Sequence, residues 1–307
     1  MATNADVIVL GEALIDLVVT PGGEVTATLG GAPFNTARAL GRLEVETSFV
    51  GTISQDRFGV MLESSLLDDG VNTSALKRTQ RPTTLALAEV SESGSATYRF
   101  YIDGTSIIAI NLGEVPIDPA WVITGGLACV LEPGALSVAA YLERIGDATQ
   151  LMVDVNCRPS VIDDRDRYMA HLSRVLHRAD VIKVSEEDLA YLYPKREIVD
   201  ACTALRGART NVVIVTRGSD DIMLVTSDVT VSVPVPPADV IDTIGAGDTF
   251  NAGFIAWCMH RGLTVGQASI ESLSSAIALG ARAAAVTVSR RGCDPPYRSD
   301  LDPAMWD

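Results

Sequence analysis

The stretch DTIGAGDTFNAGF (Asp242–Phe254) places Gly245, Ala246 and Gly247 directly before Asp248, where a helix is expected to begin. Glycine costs backbone entropy at such a position, so its presence indicates that the backbone itself is needed there. With no side chains in the way, the N–H groups of this turn can bind an anion at the positive end of the helix dipole. A carboxylate in the same turn would repel a bound phosphate, but it suits a base that takes the proton of a neighbouring hydroxyl. The stretch therefore predicts phosphoryl transfer, with an ordinary strand-to-helix turn as the alternative.

Other glycine-rich nucleotide motifs do not fit this stretch. A GxGxxG dinucleotide fingerprint would need glycine where Phe250 stands, and its usual place is the first strand-to-helix turn of a chain. The sequence contains no Gly-Lys dipeptide for a Walker A loop, and neither the HRD nor the DFG motif of protein kinases.

Outward from this turn, short apolar runs alternate with helical patterns over most of the chain. The runs that read as buried strands are Asp6–Gly11, Thr47–Gly51, Trp121–Gly126, Leu151–Asn156, Val181–Ser185 and Asn211–Thr216. Helical patterns follow Pro33 and Phe58, cover Gly134–Ile145 and Arg165–Arg178, and run from Gly247 to about Ala285. This alternation predicts an α/β fold with a mainly parallel sheet and helices on both faces.

Two hairpin signatures interrupt the alternation. Thr83–Val90 and Ala96–Tyr101 flank a Ser-Glu-Ser-Gly-Ser turn, and Ile15–Thr20 and Val25–Leu29 flank Pro-Gly-Gly. We expect these strands, from about 13–30 and 83–110, to form a small subdomain that projects from the sheet; extra edge strands of the main sheet are the alternative.

A second group of polar residues lies near the start of the chain, in GEALID (11–16) and GGAPFN (30–35). The carboxylate of Asp16 can accept hydrogen bonds from two neighbouring sugar hydroxyls, and Asn35 offers both a donor and an acceptor. Gly30 and Gly31 let the backbone approach a ligand closely. Each of these residues, taken singly, also fits a solvated strand end, a turn or a helix cap.

Composition restricts the class of protein. The 307 residues carry a formal net charge of −15, so general binding to nucleic acid or to an anionic membrane is not expected. The sequence shows neither a signal-peptide pattern at its start nor an apolar run of about 18 residues that could span a membrane. The five cysteines are scattered without a CxxC pair, which is typical of a reducing compartment, and we expect a cytoplasmic enzyme. Any metal ion would be held by oxygen ligands.

The sequences GGAPFNTARALGRL (30–43) and Asp242–Phe254 together resemble the two signatures of the PfkB, or ribokinase-like, family of carbohydrate kinases. Segments between them, among them DVNCRP (154–159) and VIKVSEEDL (181–189), fall in the family's order. Within the family, GGAPFN, the DxNxRP segment and TVSRRG (287–292) are most similar to bacterial fructokinases and 2-keto-3-deoxygluconate kinases.

The resemblance implies a fold and a set of site residues. The fold would be a three-layer α/β/α sandwich, one kinase domain over residues 1–307, with the hairpin subdomain as a lid and a contact between two copies in a homodimer. Asp248 would be the catalytic base and Gly245, Ala246 and Gly247 the anion hole. The sugar would be held by Asp16, Gly30, Gly31, Asn35 and Arg158 and, from the lid, by Tyr98 and Tyr101. The nucleotide would lie near Lys183, Ser185, Thr216, Gly218, Gly245 and Gly247.

The metal sites that the resemblance implies depart from the family pattern. The family's Asn-x-x-Glu motif is Ser185-Glu186-Glu187-Asp188 here, so Asp188 would contact Mg²⁺ through phosphate or water with a shorter side chain. Asp242 matches a family position that helps to bind a monovalent cation such as K⁺, although Ile244 replaces a threonine of the common motif.

The function implied is transfer of the γ-phosphoryl group of ATP to a primary hydroxyl of a small sugar, with fructose as the first expectation. A 2-keto-3-deoxygluconate kinase is the alternative, because Arg99, Tyr98 and Arg158 could contact an acidic substrate. A catalytically silent sugar-binding protein on the same fold is an alternative of another class, although sugar binding alone would not need an anion hole.

Overall fold

Buried apolar strands form the centre of the molecule. The computed structural model describes residues 6–90, 96–109, 112, 115 and 118–306. In chain order the strands are β1 (Val7–Leu10), β2 (Leu14–Val19), β3 (Val25–Gly30), β4 (Thr47–Val50), β5 (Thr52–Ser54), β6 (Lys77–Thr79), β7 (Leu85–Val90), β8 (Ala96–Tyr101), β9 (Trp121–Gly125), β10 (Gln150–Asp154), β11 (Val181–Ser185), β12 (Val212–Arg217), β13 (Asp220–Val225) and β14 (Thr230–Val233). The α-helices are α1 (Ala32–Arg42), α2 (Arg57–Asp68), α3 (Gly134–Leu142), α4 (Arg165–Leu176), α5 (Glu186–Leu192), α6 (Ile198–Leu205), α7 (Ala246–His260) and α8 (Ile270–Val288).

The main sheet has eight strands in the order β14-β13-β12-β11-β10-β9-β1-β4. The six strands from β12 to β4 are parallel, whereas β13 pairs antiparallel with both β12 and β14 at one edge. The strands β13 and β14 were not expected from the sequence. Fully apolar strands such as β1 suit this position, because a parallel sheet is covered on both faces.

Helices cover both faces of this sheet. Alternate residues of β1 divide between two cores: Val7 and Val9 pack with α1, α2, α7 and α8, while Ile8 and Leu10 pack with α3, α4, α5 and α6. The predicted three-layer α/β/α arrangement is therefore confirmed. None of the described helices is long and apolar enough to cross a membrane.

The helical run predicted from Gly247 to Ala285 is two helices. The helix α7 ends at His260, before the left-handed Gly262, and Ser269 begins α8 by accepting a hydrogen bond from the backbone of Ser272. The two helices touch closely, since a Cβ on Gly253 would lie 2.8 Å from the Cα of Gly280.

The two predicted hairpins form a separate four-stranded sheet in the order β3-β2-β7-β8, which excludes the alternative of extra edge strands of the main sheet. Strand alternation gives this small sheet two different faces. One face carries Asp16, Val18, Ala88 and Phe100, which line a large cavity. The opposite face is mostly apolar, with Leu17, Ala27, Leu87 and the exposed side chains of Val25 and Tyr101.

Candidate active site

A cavity of about 1070 Å³ lies between the small sheet and the carboxyl ends of the main strands. In an open α/β sheet this edge is the usual place for a ligand. The cavity brings together most of the predicted site residues, namely Asp16, Gly31, Asn35, Arg158, Lys183, Thr216, Asp242, Gly245, Ala246, Gly247 and Asp248.

The Gly-Ala-Gly turn has the backbone that its sequence predicts. Gly245 is the N-cap of α7 with a φ of +78°, in the left-handed region that favours glycine, and a Cβ there would overlap the Sγ of Cys293. A Cβ on Gly247 would lie 3.0 Å from the Nζ of Lys183. The start of α7 thus carries no bulky side chain. Its first N–H groups therefore suit the binding of an anion.

Asp248 lies in the first turn of α7, and its side chain is buried. Its Oδ2 accepts a hydrogen bond of 2.8 Å from the Nδ2 of Asn35. Burial raises the pKa of Asp248 to about 7, with Asp154 also raising it, while Asn35, Lys183 and Arg158 act in the opposite direction. A carboxylate that titrates near neutral pH is suited to proton transfer.

Asn35 connects the two signature segments through its contact with Asp248, which is 213 residues further along the chain. It was predicted as a sugar contact, and the structure places its amide on the predicted base. Its Oδ1 has no hydrogen-bond partner among the described residues. This amide can therefore orient Asp248 and still accept a hydrogen bond from a ligand that reaches it.

Asp16 faces the cavity from β2 of the small sheet. Gly30 stands beside it on β3, and a Cβ at Gly30 would overlap the carboxylate of Asp16, which explains the need for glycine there. Burial raises the pKa of Asp16 to about 6, and Arg158 opposes that rise. Gly30 thus acts on the site by leaving room for Asp16.

Lys183 and Asp154 form a buried ion pair below the glycine turn. The Nζ of Lys183 lies 3.2 Å from Oδ1 of Asp154, and the Nδ2 of Asn251 donates to Oδ2 of Asp154 at 2.7 Å. Burial alone would lower the pKa of Lys183, but Asp154, Asp188 and Asp248 outweigh it and raise the pKa. The lysine therefore remains a cation beside the glycine turn.

Sequence reasoning missed Asp154, Asn251 and Glu12. Glu12 is 4% exposed and lines the cavity, and burial raises its pKa to about 7. A signal for Asp154 was available, since it is a charged residue at the carboxyl end of the buried strand β10; the structure pairs it in register with Lys183 on the next parallel strand. Glu12 and Asn251 carry no comparable local signal.

Asp188 and Ser185 lie behind the cavity wall. Oδ1 of Asp188 accepts a hydrogen bond from the backbone of Cys157 at 2.8 Å, and Oδ2 accepts one from the backbone of Ser185 at 3.0 Å. Ser185 in turn accepts the backbone N–H of Asp188, which completes a capping box at the start of α5. The structure does not bring these two side chains to the cavity lining.

Two further predicted residues, Tyr101 and Gly218, do not line the cavity. Tyr101 lies on the outer face of the small sheet and is 55% exposed, so its prediction as a sugar contact is corrected: strand alternation points it away from the cavity. The side chain of Tyr98 lies outside the described residues. Gly218 occupies a left-handed turn after β12 and does not line the cavity, unlike Thr216.

Asp242 holds the two segments that border the glycine turn. Its Oδ1 accepts from the backbone of Ile244 at 3.0 Å, and its Oδ2 accepts from the backbone of Gly292 at 2.9 Å. The carboxylate thus supports this loop, and its predicted contact with a monovalent cation stays a prediction.

The three-layer α/β/α fold, the glycine turn, the buried carboxylate of Asp248 and the polar cavity under a small sheet agree with the carbohydrate-kinase resemblance of the sequence. Residues 4–300 match the model of the pfkB family carbohydrate kinases, and the chain belongs to this family. The family and the enzyme class predicted from the sequence, a carbohydrate kinase, are thereby confirmed.

Individual relatives agree with this assignment. The chain is 35% identical to a fructokinase of Rhizobium leguminosarum bv. trifolii over 80% of this chain and 77% of that protein. It is 28% identical to a fructokinase of Salmonella typhimurium over 97% of this chain and 99% of that protein. Among solved structures, a fructokinase with bound ATP from Xylella fastidiosa has a TM-score of 0.82 at 25% identity, covering 94% and 93% of the two chains.

Proposed function

We propose that this protein transfers the γ-phosphoryl group of ATP to a primary hydroxyl of a neutral sugar, with fructose as the first candidate. The observation that carries the proposal is Asp248, a buried carboxylate with a pKa near 7 that directly follows the Gly-Ala-Gly turn. The base and the anion site lie in one turn, so a hydroxyl that meets the base is also next to a bound phosphate.

The charges of the cavity favour a neutral substrate over an acidic one. Its lining includes the carboxyl groups of Glu12, Asp16, Asp154, Asp242 and Asp248 but, among the described residues, only the cations of Arg158 and Lys183. Lys183 is paired with Asp154. Arg99 is on the outer face of the small sheet, 3.3 Å from Glu89, where it cannot neutralise a substrate in the cavity. These features, with the fructokinase relatives, favour fructose over 2-keto-3-deoxygluconate.

Each side chain has a defined task in this proposal. Asp248 accepts the proton of the attacking hydroxyl, and Asn35 holds its carboxylate in place. Asp16 binds hydroxyls remote from the reaction and so fixes the acceptor. The N–H groups of the glycine turn, supported by the buried charge of Lys183, stabilise the charge on the transferred group.

The residues around the turn fit a nucleotide triphosphate. Gly245 and Gly247 leave the start of α7 free of side chains, and Thr216 lines the same cavity. We propose that ATP binds here together with Mg²⁺, which would neutralise charge on the phosphates. The described residues contain no group of three His, Cys, Asp or Glu side chains that could hold a metal ion by itself, which suits an ion held mainly by phosphate and water.

Solved fructokinases of Vibrio cholerae contain ADP with calcium or potassium ions. We propose that a potassium ion binds near Asp242 in this protein as well.

The small sheet supports two further proposals. It covers one side of the cavity, so we propose that it acts as a lid that excludes water from the reaction in a single kinase domain. Its outer face presents Leu17, Leu87 and the exposed Val25 and Tyr101, an apolar surface of the kind that pairs with a second copy. A homodimer through this face is therefore proposed.

The test is an assay of ADP release with Mg²⁺ and a panel of fructose, other hexoses, pentoses, nucleosides and 2-keto-3-deoxygluconate. We expect the highest kcat/KM with fructose. Turnover with 2-keto-3-deoxygluconate alone would make this keto acid the substrate in place of fructose. No turnover with any sugar, combined with thermal stabilisation by sugar but not by Mg·ATP, would favour a catalytically silent sugar-binding protein.

A further inference from the structure

The loop that carries Arg158 has an unusual backbone. It leaves β10 through Asn156, whose φ of +40° is rare outside glycine and costs free energy unless neighbouring contacts hold it. Arg158 donates from Nη1 to the carbonyl oxygen of Cys157 at 2.9 Å, so its guanidinium is folded onto its own loop. The position of this charge therefore follows the position of the loop.

Asp188 anchors the loop by a hydrogen bond to Cys157, the residue between Asn156 and Arg158. Its Oδ1 accepts the N–H of Cys157, and its Oδ2 accepts the N–H of Ser185 at the end of β11. The side chain of Asp188 is buried and has a place in the capping box of α5, so the anchor is itself rigid. One carboxylate thus connects a strained loop to the main sheet.

Arg158 acts on three carboxyl groups of the cavity at once. Burial raises the pKa of Glu12, Asp16 and Asp248, and the charge of Arg158 lowers the pKa of each. A shift of the loop would weaken this effect for all three groups together, because Coulomb interactions fall with distance.

We propose that Asp188 is a positioning residue that holds Arg158 in the acceptor site, and that it is not a ligand of the metal ion. This inference rests on the proposed kinase function. The side chain of Asp188 does not line the cavity, and each of its two oxygens already accepts a backbone N–H, so it would have to move to reach a metal ion in the cavity. Its side chain is also one methylene shorter than the glutamate of the family motif.

The test compares Asp188→Asn with Arg158→Met and with the double variant. The amide of Asp188→Asn keeps one acceptor and turns an NH₂ group toward the other backbone N–H, so one of the two hydrogen bonds is lost. We expect the KM for sugar to rise about tenfold, in the range of a lost hydrogen bond to a charged group, with the KM for ATP and the Mg²⁺ requirement unchanged. The double variant should be no worse than Arg158→Met.

The pH profile gives a second readout. Asp248 faces Asn35, Asp154, Lys183 and Arg158, with Glu12 and the thiol of Cys293 close enough to interact with it. When Arg158 moves away, less positive charge opposes protonation of Asp248, so the acid limb of kcat/KM should move to higher pH in both single variants. A purely structural role for Asp188 would not move this limb.

Asp180→Asn is the matched control. Asp180 is also buried and also accepts a backbone N–H, that of Leu151 at 2.8 Å, but it lies at the opposite ends of the same strands. The Asp180→Asn variant should have a lower unfolding temperature than the wild type, with no change in the KM for sugar or in the acid limb of the kcat/KM profile.

Amide hydrogen exchange provides a measurement that does not depend on turnover. In Asp188→Ala, which removes both acceptor oxygens, the amide of Cys157 should exchange faster, and in Asp180→Asn it should not. Unchanged protection, a raised Mg²⁺ requirement at normal sugar KM, or additive effects in the double variant would each overturn the inference. A wild-type protein without activity toward any sugar would instead remove the proposed function, while the exchange result would still decide the role of Asp188.

Discussion

The two ends of the central strands β10–β12 differ in how their polar groups are paired. At the amino ends, buried Asp180 accepts hydrogen bonds from the backbone of Leu151 and from Arg178 and Arg209. At the carboxyl ends, Asp248 has one side-chain partner, Asn35, and buried oxygen atoms of Glu12 and Asn35 have none among the described residues.

This difference separates stability from function within one sheet. Both ends border a cleft, of about 410 Å³ at the amino ends and about 1070 Å³ at the carboxyl ends. Polar groups that already have protein partners gain little from a ligand, whereas buried groups without partners retain a free energy cost that a ligand can relieve. Substitutions at the two ends should therefore affect different measurements.

The largest effect on activity is expected for Asp248→Asn at the carboxyl end. Removing a general base typically lowers turnover by a factor of about 10²–10⁴, and the amide keeps the size and shape of the side chain. We expect kcat to fall by this factor while sugar affinity, measured by calorimetry, and the unfolding temperature stay close to the wild type. Near-normal turnover would remove Asp248 from its assigned role.

Asp16→Ala should act on binding. A hydrogen bond between a ligand and a charged group contributes roughly 1.5–3 kcal/mol, so we expect the KM for sugar to rise by a factor of about 10 to 150 with a much smaller change in kcat. The KM for ATP serves as the internal control. An unchanged KM for sugar would place the acceptor elsewhere in the cavity.

A smaller effect is expected from pH. The base works in its ionised form and its pKa is raised to about 7, so kcat/KM should fall as pH drops through 7, by about tenfold per pH unit well below it. Glu12 titrates in the same range, so the profile of Glu12→Gln should be recorded beside the wild type. Loss of the acid limb in that variant would assign the limb to Glu12 instead of Asp248.

The smallest effect on activity is expected for Asp180→Asn at the amino end. The free energy of unfolding should fall by about 1–3 kcal/mol, because a buried donor from Leu151 or an arginine loses its partner. Steady-state kinetics should stay within about twofold of the wild type. A large loss of turnover in a folded protein would contradict the division between the two ends.

The sequence predicted the fold and much of the cavity because their signals are local. Buried strands, helix starts and the glycine turn each depend on neighbouring residues, and parallel strands bring their carboxyl ends to one edge without further information. The two signature segments could thus be expected at one site, and the structure places Asn35 and Asp248 in contact there.

What escaped prediction depends on contacts distant in sequence. The hydrogen bond from Asn251 to Asp154 joins residues 97 positions apart, and no local pattern indicates it. Strand alternation showed that Tyr101 and Tyr98 face opposite ways but could not show which face meets the cavity. The pairing of Asp188 with Cys157 likewise depends on how the DVNCRP loop packs against α5.

The contact between Gly253 and Gly280 has a consequence for protein engineering. Replacing helical glycine by alanine is a common way to stabilise a protein, worth up to about 1 kcal/mol in an exposed helix. In this protein a methyl group at Gly253 would push α7 away from α8, because the two backbones already touch there. Since α7 carries Asp248 in its first turn, such a change would shift this carboxylate relative to Asn35, so a consensus or thermostabilisation library should keep both glycines fixed.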